Sequence, residues 1–121
     1  MTSNRVYQLL GLAQRAGKVV SGANSIKSVA KNKSKLKCVL IASDVSENSR
    51  RKIHSICRAG NIPLYELDSR DEIGRAIGKG QRTVVGITDA GFYEAIKQTI
   101  GEERSKVNDV KTNEFGGGIN D

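Results

Sequence analysis

The chain has 121 residues, 37% of them apolar, which is enough for one domain around one core and excludes a large multidomain enzyme. Two cysteines, Cys38 and Cys57, and a single histidine, His54, are too few soft ligands for a structural zinc site. The formal net charge is +7, and its placement says more than its sum. Arg5, Arg15, Lys18, Lys27, Lys31, Lys33, Lys35 and Lys37 precede the first acid, Asp44, so residues 1–43 carry +8 and the remainder −1. A one-signed third of a small domain sets up a field that recruits polyanions, and phosphate backbones are the commonest of these inside cells.

The apolar stretch Val6–Ala13 is interrupted by Gln8 and bounded by Arg5 and Arg15, so it fits neither a secretory leader nor a span of some 18 apolar residues. With cysteines that suggest no pairing, the expectation is a cytoplasmic protein with no membrane partner.

Val6, Leu9, Leu10, Ala13 and Ala16 recur at three- and four-residue steps, predicting an amphipathic helix over 4–16 that ends near Gly17. Lys18–Ser21 is a candidate short strand. Ser21-Gly22-Ala23-Asn24 supplies turn and capping residues, and a second helix turns Ile26, Val29 and Ala30 inward and Lys27 and Lys31 outward. The continuous apolar run Cys38–Ala42 reads as a central strand covered on both faces, with Cys38 a small buried hydrophobe.

A helix over Ser46–Ala59 follows, burying Ile53, Ile56 and Cys57, with Gly60 as its stop and Pro63 beyond. Leu64–Leu67 forms a shorter strand. Ser69-Arg70-Asp71-Glu72 is a capping box opening a short helix that buries Ile73, Ala76 and Ile77 before Gly78. Thr83–Ile87 predicts another buried strand, and Asp89 starts a last helix with Phe92, Ile96, Thr99 and Ile100 inside. Beyond Gly101 the periodicity fades, so the chain divides into a domain at 1–101 and a polar, mobile tail at 102–121. Strands alternating with helices on short connections specify an α/β layered domain with a mostly parallel or mixed sheet.

Catalytic patterns are absent. Gly78-Lys79-Gly80 precedes a strand and lacks the third glycine of a dinucleotide fingerprint, and no nucleophile elbow surrounds Ser43 or Ser46. Asp44 and Asp89 end apolar strands, where carboxylates serve as helix caps or metal ligands, and capping of the helices that follow is the expectation. No enzyme, cofactor or metal is expected. The informative segment is Arg15 to Ser28. A glycine-bearing turn that opens a helix presents free amides and a positive dipole end to phosphate, and Lys18, Lys27 and Lys31 flank it. Asn24 carries both a donor and an acceptor, as reading a base edge requires; as a helix cap it would be equally well explained.

Gly22-Ala23-Asn24, Leu40-Ile41-Ala42-Ser43-Asp44, Cys57, Ile62-Pro63, Leu67-Asp68-Ser69 and Ile73-Gly74-Arg75-Ala76-Ile77-Gly78 together resemble the kink-turn RNA-binding ribosomal protein family, which includes large-subunit proteins seven-Ae and thirty-e. Opening with Leu9-Leu10-Gly11-Leu12-Ala13-Gln14-Arg15-Ala16-Gly17-Lys18 and closing with Asp89-Ala90-Gly91-Phe92, the chain is most similar to the bacterial YlxQ-type branch. The resemblance implies a three-layer α/β/α sandwich around a mixed, four-stranded sheet, and a non-enzymatic protein binding structured, ribosomal RNA.

In that light Gly22 and Ala23 allow close backbone approach, Asn24 bonds a guanine edge, Lys27 holds phosphate, and the loop 78–83 lies against unstacked bases. Ser25 stands where the family follows its Asn with Glu; Ser28 occupies the usual lysine position, one after Lys27; and Lys79, Gln81 and Arg82 replace apolar loop residues. Contacts through phosphate and shape are unaffected by these departures. Two other classes share the fold in this resemblance: a protein-interaction adaptor with little RNA affinity, and the isolated recognition domain of an RNA methyltransferase.

Overall fold

The computed structural model describes residues 2–32 and 34–114, with the side chains of 105–114 excepted. Five helices and four strands follow in the order α1 (Asn4–Arg15), β1 (Val19–Ser21), α2 (Ala23–Ala30), β2 (Cys38–Ile41), α3 (Glu47–Gly60), β3 (Leu64–Glu66), α4 (Arg70–Ala76), β4 (Val84–Ile87) and α5 (Ala90–Glu114). The strands form one sheet in the order β1-β4-β2-β3. β4 is antiparallel to both of its neighbours, and β3 is parallel to β2. The sheet is therefore mixed, and β1, β2 and β3 all point the same way. Their carboxyl ends share one end of the sheet, and α2, α3 and α4 all begin there.

Alternation along the strands divides the core in two. Cys38, Leu40, Val85 and Ile87 face α1, α4 and α5, meeting Val6, Leu10, Ile73, Ile77, Ile96 and Ile100. Val39, Ile41 and Val84 face α2 and α3, meeting Ile26, Ile53, Cys57 and Ile62. Helices thus cover both faces of the sheet, giving the three layers. Each fully buried Ile or Leu contributes about 2–3 kcal/mol relative to exposure, and Ile26 alone anchors the short helix α2 this way.

Element termini follow local chemistry. Ser69 accepts from the Glu72 amide while the Glu72 carboxylate takes the Ser69 amide at 3.3 Å, closing the capping box. Asp89 Oδ2 accepts from Phe92 N at 2.9 Å at the start of α5. α3 runs one residue past the expected stop, because Asn61 adopts the left-handed C-cap conformation at φ 55° while Gly60 stays helical; asparagine tolerates that region better than most residues.

The segment expected as a tail begins inside α5, whose backbone is helical to Glu114; residues 115–121 lie outside the described residues. Cys38 and Cys57 are free and buried. Removal from water pushes their thiols up to about 12 and about 11. No helix among the described residues is long and apolar enough to cross a membrane.

Candidate nucleic-acid interface

β1 runs directly into Gly22, whose amide donates to the Val84 carbonyl at 3.0 Å. Its backbone, at φ 92° and ψ 148°, occupies a region that in practice only glycine adopts without strain. The Gly22 carbonyl accepts from Ile26 N at 3.1 Å and so starts α2. Gly22 is thus the N-cap and offers no side-chain hydrogen bond. Asn24 sits in the first turn with an exposed side chain, which overturns its alternative role as cap.

The contrast with the neighbouring helices is chemical. Ser46 Oγ accepts from Ser49 N at 3.3 Å to cap α3, and Ser69 caps α4, but no side chain caps α2. The first-turn amides of α2 and the positive end of its dipole are left to solvent or ligand.

Beyond the turn, burying Ile26, with Val29 and Ala30 half-buried, turns Asn24, Lys27, Ser28 and Lys31 outward. The i, i+3, i+4, i+7 spacing makes these four one exposed stripe along α2. Ser25 is exposed beside it, while Ala23 packs against the core.

The loop 78–83 reaches the same end of the sheet. Its backbone folds back along α4: Lys79 N donates to Gly74 O at 2.9 Å and Arg82 N to Arg70 O at 3.1 Å. Gln81 Nε2 donates to Asp71 Oδ1 at 2.7 Å, and Arg82 Nη1 to Gln81 O at 2.9 Å. Both side chains therefore brace the loop and α4, and Lys79 is exposed. Thr83, which accepts from Ala42 N at 2.8 Å, leads into the Val84 that receives Gly22. The turn and the loop are thus joined through the first residue of β4.

Arg70, expected only as a member of the capping box, is a further cation at this end. Its amide donates to Asp44 Oδ1 at 2.9 Å, and its guanidinium Nε lies 3.5 Å from Asp44 Oδ2. Asp44 thus takes the first amide of α4, beside the Ser69 cap, and does not cap its own helix, where Ser46 serves. The pair is 26 residues apart in sequence, and no local pattern announces it.

Three expected residues lie elsewhere. The Lys18 carbonyl accepts from Thr88 N at 3.0 Å, which places Lys18, and Arg15 just before it, at the opposite end of β1. That is about 13 Å from Gly22 at 3.3 Å per residue. Lys31 is the C-cap of α2, about 12 Å down the helix from the turn at 1.5 Å per residue. The structure therefore brings together Gly22, Ala23, Asn24, Ser25, Lys27 and Ser28 with the loop of Lys79, Gln81 and Arg82. It leaves Arg15, Lys18 and Lys31 toward the far end.

Comparison with known proteins agrees with this architecture. The chain is 40% identical over 92 residues to the RNA-binding protein YlxQ of Bacillus subtilis (strain 168), covering 76% of this chain and 91% of that protein. It is 38% identical over 96 residues to the RNA-binding protein YlxQ of Enterococcus faecium, covering 79% and 91%. A solved structure from Bacillus halodurans C, described as a protein with unknown function, superposes with a TM-score of 0.77 at 31% identity, covering 82% of this chain and 99% of the other. Residues 4–97 match the ribosomal protein L7Ae/L30e/S12e/Gadd45 family, and the chain belongs to that family.

Proposed function

We propose that this protein is a non-enzymatic, cytoplasmic RNA-binding protein that docks a structured, kink-turn-like RNA, ribosomal in origin, with its binding unit within residues 1–101. The observation that carries the reading is the uncapped start of α2, held against the loop 78–83 by the Gly22–Val84 hydrogen bond. Its free amides suit phosphate. Asn24, exposed and not used as a cap, has the donor and acceptor needed to bond a base edge. Lys27 lies three residues along the same stripe and suits the adjoining phosphate, and Lys79 extends the surface onto the loop. The description of the YlxQ relatives as RNA-binding supports the assignment.

Filter binding against a panel of structured RNAs, repeated across salt concentrations, tests it. Log affinity is expected to fall with log salt by about 0.7–0.9 per phosphate contacted. Asn24→Ala is expected to reduce discrimination between RNAs by about 1–3 kcal/mol. A salt-independent interaction would remove RNA as the partner, and a protein that co-purifies after nuclease treatment would then establish the adaptor. Equal weakening toward all RNAs by Asn24→Ala would remove its base-reading role.

A further inference from the structure

Among the described residues, most cations of the acid-free amino-terminal third lie away from the turn. Val19 and Cys38 both pair with Ile87, one from each side. The residues just before them, Lys18 and Lys37, therefore flank Thr88 across three strands, with backbones about 10 Å apart at 4.8 Å per strand spacing. Hydrogen bonds fix this arrangement: Thr88 N donates to Lys18 O at 3.0 Å, and Lys37 N to Ile87 O at 2.8 Å. Lys31, at the end of α2, and Lys35, in the turn that leads into β2, are exposed at the same end, as is Arg15 in the last turn of α1.

Part of this charge has a structural use, since Arg15 and Lys31 sit at helix C-termini, where cations are stabilised by the dipole. Lys18, Lys35 and Lys37 lie outside any helix and have no such use. The Lys37 ammonium donates to the Ser34 carbonyl at 2.6 Å, a neutral acceptor that orients the charge without cancelling it. Asp89, beside Thr88, accepts from the Phe92 amide and sets one negative charge against the five cations of this end. The exposed stripe from Asn24 through Lys27 and Ser28 to Lys31 connects this end to the turn.

We infer that the far end of the sheet, where Lys18, Lys35 and Lys37 converge around Thr88 beside Arg15 and Lys31, is a second polynucleotide contact that grips phosphate backbone without reading bases. Asn32, in the turn between Lys31 and Lys35, has its Oδ1 engaged by Ser34 Oγ at 3.0 Å, and the charges that dominate this end match a backbone ligand and not a sequence. The inference shares with the proposed function the premise that the partner is RNA, but it uses none of the turn residues.

The test measures binding of the full chain to a long uniform RNA duplex, without internal loop, by fluorescence anisotropy across salt concentrations. The combined variant Lys18→Gln, Lys35→Gln, Lys37→Gln is expected to bind more weakly, with a log–log salt slope shallower by about 2. Lys52→Gln, a single exposed cation in the middle of α3 that belongs to neither surface, is expected to leave both quantities unchanged. The charge-keeping variant Lys18→Arg, Lys35→Arg, Lys37→Arg is expected to retain the wild-type slope, which separates loss of charge from loss of fold. A combined Gln variant with the wild-type slope, or a wild-type protein that does not bind the duplex, would overturn the second contact. Failure of the turn assignment would show instead in the discrimination measurement on Asn24→Ala with structured RNAs, where the far-end lysines play no part.

Discussion

Gly22 and Val84 are joined by a single backbone hydrogen bond of 3.0 Å, and through it the start of α2 is held at a fixed distance from the loop that enters β4. The bond requires the chain to leave β1 in a conformation open to glycine and closed to other residues.

Replacing Gly22 by alanine meets no steric neighbour, since a Cβ there would find nothing within 4 Å. The effect comes from φ 92° alone. Gly22→Ala is therefore expected to destabilise the fold by about 1–3 kcal/mol, seen as a lower urea midpoint with an unchanged m-value, and to weaken binding at the turn.

Gly74 fails for the opposite reason. It is helical and buried, and a Cβ at this position would overlap the Gly80 carbonyl of the loop that packs against it. Gly74→Ala is expected to cost about 1–3 kcal/mol by overpacking. It should also displace the loop 78–83, which amide chemical shifts would report at Lys79–Thr83.

The capping box at the start of α4 links the loop to the core. Ser69→Ala removes the acceptor of the Glu72 amide and is expected to cost about 1 kcal/mol. Asn24→Ala, at an exposed position of the first turn of α2 that caps nothing, is expected to change stability by less than about 0.5 kcal/mol. Parallel thermal melts of the two variants check both values.

Burial raises Tyr7 from 10.0 to about 12, Cys38 from 9.0 to about 12 and Cys57 from 9.0 to about 11. A pKa raised on folding means that the unfolded chain loses its proton first, so the stabilisation is complete below pH 9 and is lost as pH rises through the folded values. Unfolding midpoints are expected to be flat with respect to these groups up to about pH 9 and to fall between about pH 9 and 12. Both thiols are expected to react with a thiol reagent at pH 8 only in denaturant, because the buried, protonated thiol is a poor nucleophile.

Most elements were legible because short-range physics decides them. The expected helix at Ser46–Ala59 lies one residue from the observed Glu47–Gly60, and the Ser69–Glu72 box closes as its residue types require. The continuous runs at Cys38–Ala42 and Thr83–Ile87 announced strands covered on both faces. The mixed character of the sheet was left open by the strand patterns, which did not choose between a mostly parallel and a mixed arrangement. Nothing local in Thr83–Ile87 encodes that β4 enters between β1 and β2 and runs against both.

The candidate site was legible at the turn and not in its extent. Lys18 and Gly22 are four residues apart in sequence, which suggests one cluster, but an extended strand between them puts them at opposite ends of the sheet. The cap went to Gly22 and not Asn24 for a similar reason, because the antiparallel pairing with β4 holds the chain extended until Ser21 and leaves the positive-φ residue to begin the helix. Asp44 and Arg70 meet only because β2 and β3 run side by side.

The strands at the two borders of the sheet, Val19–Ser21 and Leu64–Glu66, are three residues each. On the β3 side the exposed Glu66 is bridged to Arg50 at 2.9 Å, which sets charge against the open rim. Borders this short, one of them charged, make poor templates for a foreign strand. Neighbouring copies are thereby kept from fusing edge to edge into a continuous β-sheet, even when they are crowded together.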